Sequence, residues 1–368
     1  MRQDSVFSPS FGNRPSCLVG RESILQTLLA GLESASGSKE RSTVLLGQRG
    51  SGKTVLLWEF AERAASLGYV VATPTIVSDS LLSRIVEKIQ DAGEKALGRE
   101  PARLTGGSVE VLGFSVGLEF SREVQETKSD QFKLTQLVRR LSSSGHGTLI
   151  LVDELQANSA DVRELVSVYQ ELVGEGLDVA LAMAGLPGAV SATLNDKVLT
   201  FLNRASKLSL PPLKIGDVAA FYRASFAGLG LALSDEQVRK AAEFTEGSPY
   251  LLQLVGHGIV LNADEGGALS DDRLGLSLQE AASEFENDVC ETTLAALSET
   301  DIRFLVRMAE DERESSVADV AKRMGVSPDY AQKYRKRLID AGVIESSGWG
   351  KVRFCVPYLA DHLRRDYV

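Results

Sequence analysis

The sequence predicts an α/β chain in which helices cover both faces of a parallel sheet, followed by a helical unit and a small C-terminal unit. Up to about residue 210, short apolar strand patterns alternate with helical patterns, an order typical of a parallel sheet with helical crossovers. After Pro211 and Pro212 the strand patterns stop and helical patterns follow. From Thr300 onward, a helix–turn–helix pattern and a strand hairpin indicate a third unit.

The elements of the first unit are predicted by the spacing of their apolar residues. In the segment 53–67, Val55, Leu56, Phe60 and Ala64 recur at helical spacing. The segment 148–152 is short and nearly all apolar, as in strands buried on both faces of a parallel sheet. The segment 108–120 predicts an inserted β-hairpin. The other expected elements are a helix ending near Glu33, strands at 42–46, 69–77, 177–184 and 207–210, and helices at 80–97, 131–141 and 161–173.

The helical unit and the C-terminal unit complete the expected division of the chain. Helices are predicted at 217–229, 235–245, 249–261 and 278–294. We therefore expect three domains, at 1–213, 214–296 and 297–368. The length of 368 residues suits two or three domains.

Composition narrows the class of protein. The 43% hydrophobic and 24% charged content are ordinary for a globular chain. The N-terminus has no signal-peptide pattern, and the longest nearly apolar stretch, Val179 to Val190, is too short to span a bilayer. We expect a cytoplasmic protein with no membrane partner. Three cysteines without a CxxC pair indicate neither a disulfide framework nor a zinc site.

A glycine-rich loop between a predicted strand and a predicted helix carries the strongest motif. The residues from Gly47 to Thr54 read GQRGSGKT and fit G-x-x-x-x-G-K-[ST]. Glycines let backbone N–H groups face phosphate oxygens, and the following helix directs its positive end at them. The pattern predicts ATP or ADP binding, with Lys53 on the β- and γ-phosphates and Thr54 on Mg²⁺. The residues expected around the nucleotide here are Gln48, Arg49, Gly50, Ser51, Gly52, Lys53, Thr54 and Val55.

Two adjacent carboxylates end the apolar strand at 149–152. Asp153 is expected to hold Mg²⁺ through water, and Glu154 to act as the general base for the attacking water. By itself this pattern also fits a strand that enters a solvated turn. Its position, about a hundred residues after the glycine-rich loop, favours the catalytic interpretation.

Together these motifs resemble the AAA+ and STAND branch of P-loop ATPases, from about Cys17 to Leu261. The resemblance rests on the glycine-rich loop, Asp153-Glu154, the segment LVGRE at 18–22, and Gly247-Ser248-Pro249, which is similar to the GxP element of STAND lids. It implies a three-layer P-loop NTPase core of the ASCE type before a helical lid. It further implies that Gly20 and Arg21 lie near the adenine and ribose, and Pro249 near the nucleotide.

The chain departs from this family pattern at two places. Where such ATPases often carry a polar γ-phosphate sensor, the strand ends in Met183, Ala184 and Gly185. No second-sensor arginine stands near Gly247. Arg204 is the candidate arginine finger for a neighbouring subunit, so a homo-oligomer is a candidate assembly; a surface or structural role for Arg204 is the alternative. These departures concern the rate of ATP hydrolysis, which we expect to be slow.

The C-terminal unit resembles a winged helix-turn-helix and carries a basic island on an acidic protein. The net charge is −10, yet residues 320–353 contain eight basic and three acidic residues. A basic helix after the turn at 325–328 suits the major groove of double-stranded DNA, with a strand hairpin as the wing. The candidate DNA contacts are Gln332, Lys333, Arg335, Lys336, Arg337, Lys351 and Arg353.

Three functions remain open at this point. The first is an ATP-dependent DNA-binding switch, similar to origin-recognition initiators and found also in regulatory, defence or mobile-element settings. The second is a STAND-type signalling scaffold that holds ADP or ATP and uses the winged helix for protein contacts. The third is a remodelling ATPase.

Overall fold

The computed structural model describes residues 6–9, 17–97, 114–116, 118–120, 122–156, 159–194 and 200–367. A five-stranded parallel sheet forms the first unit, in the order β2-β5-β6-β1-β7. Strand β6 therefore lies between β1, which leads into the glycine-rich loop, and β5, which carries the two carboxylates. The predicted parallel ASCE-type sheet is confirmed. Its strands are β1 Ser42–Leu46, β2 Val70–Ile76, β5 Thr148–Leu155, β6 Val179–Gly185 and β7 Ser206–Ser209.

The predicted hairpin insertion is present where the structure describes it. Strands β3 (Phe114–Val116) and β4 (Glu119–Phe120) pair antiparallel. Residues 108–113, which the sequence assigns to the same hairpin, lie outside the described residues.

Helices cover both faces of the sheet, because alternate residues of each strand point to opposite sides. Leu149 and Leu151 join one apolar cluster with α1 and α2, whereas Ile150 and Val152 join another with α3, α5 and α6. The result is the three-layer core that the sequence predicts. The helices of this unit are α1 Glu22–Glu33, α2 Lys53–Ser66, α3 Leu81–Leu97, α4 Arg122–Thr127, α5 Asp130–Ser143, α6 Ala160–Gly174 and α7 Pro187–Leu194.

The second unit is helical, as predicted. Its last helix is longer than expected, since α11 passes through a π-helical turn at Glu286–Glu291 into α12. The helices are α8 Ile215–Gly228, α9 Asp235–Phe244, α10 Pro249–Asn262, α11 Asp271–Phe285 and α12 Thr292–Ala295.

The C-terminal unit combines helices with a small antiparallel sheet in the order β8-β10-β9. Helix α15 follows the turn that the sequence predicts at 325–328, and the hairpin β9–β10 comes after it, in the predicted order. The elements are α13 Glu299–Ala309, β8 Ser315–Ser316, α14 Val317–Met324, α15 Pro328–Asp340, β9 Ile344–Gly348, β10 Lys351–Phe354 and α16 Leu359–Asp366.

The second and third units share one continuous apolar core. A single cluster of buried side chains runs from Phe7 through α8–α11 to Leu363 in α16. Phe7 lies against Tyr222 and Phe226 of α8, with ring centroids 5.9 and 5.4 Å apart. The expected boundary at residues 296 and 297 therefore crosses a packed core, and the domain division stays a prediction. No helix among the described residues has both the length and the apolar character to cross a bilayer.

Candidate nucleotide-binding site

The glycine-rich loop follows β1 at the carboxyl edge of the sheet and turns into α2. Gly50 and Gly52 have φ angles of +75° and +84°, a region that favours glycine. These two residues let the chain turn so that α2 begins at Lys53, with its N-terminal end at the loop. The local backbone thus has the form that phosphate binding requires.

Lys53 lies across this loop. Its Nζ donates hydrogen bonds to the carbonyl oxygens of Gly47 and Gln48, at 2.8 and 2.7 Å. Burial lowers the pKa of Lys53 to about 8, while the negative charges of Asp153 and Glu154 act in the opposite direction. The amine of Lys53 therefore loses its proton at a lower pH than an ordinary lysine does. A nearby anion would raise this pKa again.

Thr54 and Asp153 meet across the gap between α2 and β5. The Thr54 hydroxyl donates to Asp153 Oδ2 at 2.6 Å, and Asp153 Oδ1 accepts from the backbone N–H of Glu154 at 2.9 Å. The Asp153 side chain is buried, at 4% exposure. A hydroxyl and a carboxylate in contact supply oxygen donors of the kind that Mg²⁺ prefers. The structure thus brings together the two residues predicted for the metal.

Glu154 owes its position to a bulge at the end of β5. Val152 lies opposite Met183 and Leu155 opposite Gly185, so β5 contains one more residue than β6 in this interval. Glu154 adopts φ +54°, a conformation that is strained for a side-chain-bearing residue. Its side chain is exposed and lines the cavity above the loop. A strained bulge that directs a carboxylate into a cavity is typical of a functional position.

A cavity of about 730 Å³ lies between the loop, the end of β5 and the helical unit. This volume is within the range of small-molecule sites. Its wall includes the glycine-rich loop from Arg49 to Val55, Arg21, Asp153 and Glu154. Of the nucleotide-contacting residues that the sequence predicts, Gly20 and Gln48 are absent from this wall.

The helical unit covers the loop through the segment from Gly247 to Tyr250. A Cβ at Gly50 would lie 3.3 Å from Cβ of Tyr250, and a Cβ at Gly52 would lie 3.7 Å from Pro249. Pro249 is the first residue of α10, whose N-terminus is capped by the Ser248 hydroxyl. Gly247 has φ +75°, and its backbone contacts Leu213 too closely for a side chain. Pro249 thus lines the cavity, and its expected proximity to a nucleotide stays a prediction.

Arg21 and Gly20 occupy different positions around the site. The Arg21 guanidinium is buried and donates to the carbonyl oxygen of Ser51 at 3.4 Å. Arg21 Nε and the hydroxyl of Ser51 are buried without a hydrogen-bond partner among the described residues. Gly20, with φ +63°, packs against Leu213 and Asp217 at the start of the helical unit. Their expected proximity to adenine and ribose stays a prediction.

Gln48 projects its side chain toward the C-terminal unit. A Cβ at Gly342, two residues after α15, would overlap the amide oxygen of Gln48. A Cβ at Gly188 in α7 would likewise overlap the carbonyl oxygen of Asp340. The C-terminal end of α15 therefore packs on the core beside the glycine-rich loop. A nucleotide contact by the Gln48 backbone stays a prediction.

Arg204 lies far from this cavity. It ends a 3₁₀ turn just before β7, and Ser206 of β7 pairs with Thr43 at the start of β1. The glycine-rich loop follows the other end of β1, so Arg204 sits at the opposite edge of the sheet. Its side chain is exposed. Arg204 is thus not placed to contact a nucleotide in the cavity of its own chain, and the arginine-finger role stays a prediction.

The predicted DNA contacts divide into two groups by their surroundings. Gln332, Lys333 and Lys336 are exposed on α15, and none of them makes an ion pair in the part of the chain that is described. The others have partners within the C-terminal unit: Arg335 with Ser346, Arg337 with Asp301, Lys351 with Glu314 and Arg353 with Glu345.

Sequence reasoning missed several residues of the cavity wall. Ser8 and Pro9 reach it from the N-terminal segment, where the Ser8 N–H donates to Gln253 Oε1 at 2.9 Å. Trp58 and Tyr250 also line it. No local motif marks Ser8 or Pro9, because they reach the site by packing of Phe7 against α8.

Two family models match parts of the chain. Residues 17–181 match a family described as an AAA ATPase domain, a range that contains the glycine-rich loop, Asp153 and Glu154. Residues 287–363 match a domain of unknown function, DUF8462. No curated protein matches the chain.

Solved structures share the fold along nearly the whole chain. A Walker-type ATPase of Pyrococcus abyssi has a TM-score of 0.67 at 14% identity, covering 95% of this chain and 97% of that one. The ORC2 protein of Aeropyrum pernix, in ADPNP–ADP complexes, has 0.62 at 18%, covering 98% and 97%. Cdc6p from Pyrobaculum aerophilum has 0.51 at 17%, covering 97% and 95%. The predicted resemblance to origin-recognition-type AAA+ P-loop ATPases is confirmed at the level of the fold.

Proposed function

We propose that this protein is an ATP-dependent switch, which binds ATP with Mg²⁺, hydrolyses it slowly and binds double-stranded DNA through its C-terminal unit. The 2.6 Å hydrogen bond between Thr54 and Asp153 carries the nucleotide part of the proposal. It joins the two ends of the site, the start of α2 and the end of β5, beside the glycine-rich loop. The match to an AAA ATPase domain over residues 17–181 supports it.

Thr54 and Asp153 would hold the magnesium ion that accompanies ATP. When bound, Mg²⁺ neutralises part of the phosphate charge and orients the phosphates. Asp153 is already fixed by the N–H of Glu154 and the Thr54 hydroxyl, so little reorganisation is required of it. Lys53 would exchange its two carbonyl partners for phosphate oxygens, and the negative phosphates would favour its protonated form.

Glu154 would supply the base for hydrolysis. Its carboxylate takes a proton from the attacking water, the water oxygen bonds to the γ-phosphorus, and the bond to the β–γ bridging oxygen breaks. The backbone N–H groups at Gly50 and Gly52 would stabilise the phosphate charge. Met183 and Ala184 are buried in β6 and offer no polar side chain to the γ-phosphate, which fits slow turnover.

Glu154→Gln is the experiment for this part. The variant should bind ATP with unchanged affinity and lose turnover in a phosphate-release assay. Loss of binding together with turnover would point to a structural role for Glu154 instead.

The DNA-binding part rests on the exposed face of α15. Lys333 and Lys336 project from this helix, and a basic helix of this kind fits the major groove. Arg337 is committed to Asp301 at 2.7 Å, so it would position α15 more than it would contact phosphates. The test is fluorescence anisotropy of a labelled duplex over a salt series. Each phosphate contact contributes a slope of about −0.9 in log K against log salt. No duplex binding at low salt, with or without ATP, would remove this part.

A signalling scaffold is the second candidate, and two observations favour it. The helical unit and the C-terminal unit share one apolar core, so they are suited to move as a single body. Three of the cationic side chains proposed for DNA are ion-paired within the unit, which leaves fewer unpaired charges for phosphates. Light scattering with ADP and with a non-hydrolysable ATP analogue, combined with a DNA titration, separates the candidates. Nucleotide-dependent assembly without DNA binding would favour the scaffold.

The biological setting is proposed from the fold alone. Replication initiation, mobile-element transposition and regulatory or defence signalling all suit an ATPase core, a helical lid and a DNA-binding unit in this order. A homo-oligomer in which Arg204 reaches the neighbour's ATP would fit each of them. An Arg204→Ala variant that hydrolyses ATP normally at all protein concentrations would exclude that assembly.

A further inference from the structure

Trp349 is the most exposed large apolar side chain among the described residues. It stands at the tip of the β9–β10 hairpin with its full side-chain area open to solvent, whereas the next most exposed large apolar side chains are about half exposed. Gly348 and Gly350 flank it, and neither has another atom within 4 Å of its Cβ position. In this setting the apolar indole is left in water, and burial within the fold does not contribute to its stability.

The hairpin that carries Trp349 is firmly attached to the rest of the C-terminal unit. Val352 is fully buried in the common core. Lys351 pairs with Glu314 at 3.1 Å, and Arg353 pairs with Glu345 across the hairpin. Trp349 therefore stands on a hairpin that is already ordered in the free protein. Binding then loses less conformational entropy than it would on a flexible loop.

The hairpin tip lies beside the basic helix. Arg335 of α15 donates to the Ser346 hydroxyl at 3.2 Å, which joins the middle of α15 to β9 near the tip. Lys333 and Lys336 are exposed on the same helix, and Tyr330 at its start is 42% exposed. Cations interleaved with exposed aromatic rings are suited to nucleic acid, where the backbone offers phosphates and the bases offer planar faces.

We propose that Trp349 stacks on an unpaired base next to the duplex that α15 holds; this rests on the proposed DNA binding. A planar indole can stack on any base, but only where the base face is accessible, as in an overhang or a bulge. The protein would therefore prefer DNA with an unpaired base beside a duplex over an intact duplex. Lys351 and Arg353 at the tip are paired with Glu314 and Glu345, so the tip itself offers a ring face, and phosphate contacts are left to Lys333 and Lys336 on α15.

The two tryptophans of the chain make the test direct. In Trp58→Phe, the emission comes from Trp349 alone. This variant is titrated with a labelled duplex, with the same duplex carrying a short single-stranded overhang, and with anionic phospholipid vesicles. DNA anisotropy reports binding, and tryptophan emission reports stacking. We expect quenching by the overhang DNA and little change with the intact duplex.

Substitutions at the tip give the second measurement. Trp349→Ala should weaken binding of the overhang DNA by about 5- to 150-fold, the range for one stacked base, and leave duplex affinity within about twofold. Trp349→Phe, which keeps an aromatic face, should retain most of the preference. Because the side chain is exposed, neither substitution should change the melting temperature.

The outcomes separate this proposal from the DNA proposal itself. Duplex binding with no quenching by overhang DNA, or an equal loss on both DNAs in Trp349→Ala, overturns the stacking role alone. A blue shift with vesicles but no response to any DNA overturns it in favour of a lipid surface. Absence of an anisotropy change with every DNA overturns the proposed DNA binding together with the stacking role.

Discussion

The side chain of Gln48 lies against Gly342, so the second residue of the glycine-rich loop touches the turn that ends α15. Gly342 has φ +69°, and a Cβ there would overlap the Gln48 amide. The turn that ends the helix proposed to bind DNA is thus in direct contact with the loop proposed to bind phosphates. A movement of the loop on nucleotide binding would therefore shift the Gln48 side chain against the end of this helix.

Gly342→Ala should destabilise the protein more than Gly325→Ala. Both positions have φ +69°, so both substitutions carry a backbone cost of about 1–2 kcal/mol, but Gly325 has no atom within 4 Å of its Cβ position. The excess in Gly342→Ala comes from displacing Gln48. Adding Gln48→Ala should recover that excess in melting temperature, as a double-mutant cycle measures. Equal effects of the two glycine substitutions would show that the contact has no energetic weight.

Lys53→Ala should weaken ATP binding by about 100-fold or more, because hydrogen bonds from a cation to phosphate are among the strongest that a side chain makes. Titration with a fluorescent ATP analogue provides the measurement. Lys53→Arg keeps the charge and serves as the matched control. Wild-type affinity in Lys53→Ala would mean that the nucleotide does not occupy the glycine-rich loop.

ATP affinity should fall as the pH rises above about 8. Burial lowers the pKa of Lys53 to about 8 from its ordinary 10.5, so the amine loses its charge over this range. Bound phosphate raises this pKa again, and binding near pH 8 should therefore take up a fraction of a proton. Calorimetry in buffers of different ionisation enthalpy detects that proton, and the fall should not exceed about tenfold per pH unit. Lys53→Arg should show neither effect.

The same shift has the opposite consequence for the unliganded fold. Between pH 8 and 10.5 the unfolded chain holds the Lys53 proton more tightly than the folded one, so this residue's contribution to stability rises with pH in that window. A comparison of melting temperatures of wild type and Lys53→Met across this window, each without nucleotide, isolates the contribution.

Glu154→Gln should reduce ATP turnover by about 10²- to 10⁴-fold while ATP binding is retained, since the amide keeps the size of the side chain and cannot accept the proton. Single-turnover phosphate release gives the rate, and the fluorescent analogue gives the affinity. Asp153→Asn is a useful comparison, because this variant should also change the Mg²⁺ concentration that turnover requires. Unchanged turnover in Glu154→Gln would assign the base elsewhere.

Substitutions of exposed cations and of ion-paired cations in the C-terminal unit should have different effects, the first on DNA affinity and the second on stability. Lys333→Ala with Lys336→Ala should lower duplex affinity and the salt slope by about one unit per lost contact, with an unchanged melting temperature. Arg337→Ala should instead cost roughly 1–3 kcal/mol of stability, because it leaves the buried Asp301 carboxylate without its 2.7 Å partner. Thermal unfolding and DNA anisotropy on the same samples distinguish these roles.

The parts of the candidate site that consist of residues close together in the sequence could be predicted from the sequence. Gly50, Gly52 and Lys53 lie within four residues of the chain, and the two glycines permit the left-handed turn that leads into the helix. Asp153 and Glu154 are adjacent at the end of an apolar strand. Such local patterns fix backbone conformation and side-chain type together, so the loop, the strand end and the order of helices and strands could be predicted from the amino acids alone.

Contacts between distant segments were decided only by the tertiary structure. The insertion of Phe7 among the α8 aromatic rings, the contact of Gln48 with Gly342 and the pairing of Arg337 with Asp301 leave no periodic pattern in the sequence. Glu154 was expected as a base, but its left-handed backbone conformation arises from the unequal lengths of β5 and β6. The sequence by itself determined which residues we propose to bind phosphate and metal, because that proposal depends on the side-chain types and on the local turn. Which of the basic residues remain available to a partner depended on packing, because a charge is neutralised by whatever the fold brings beside it.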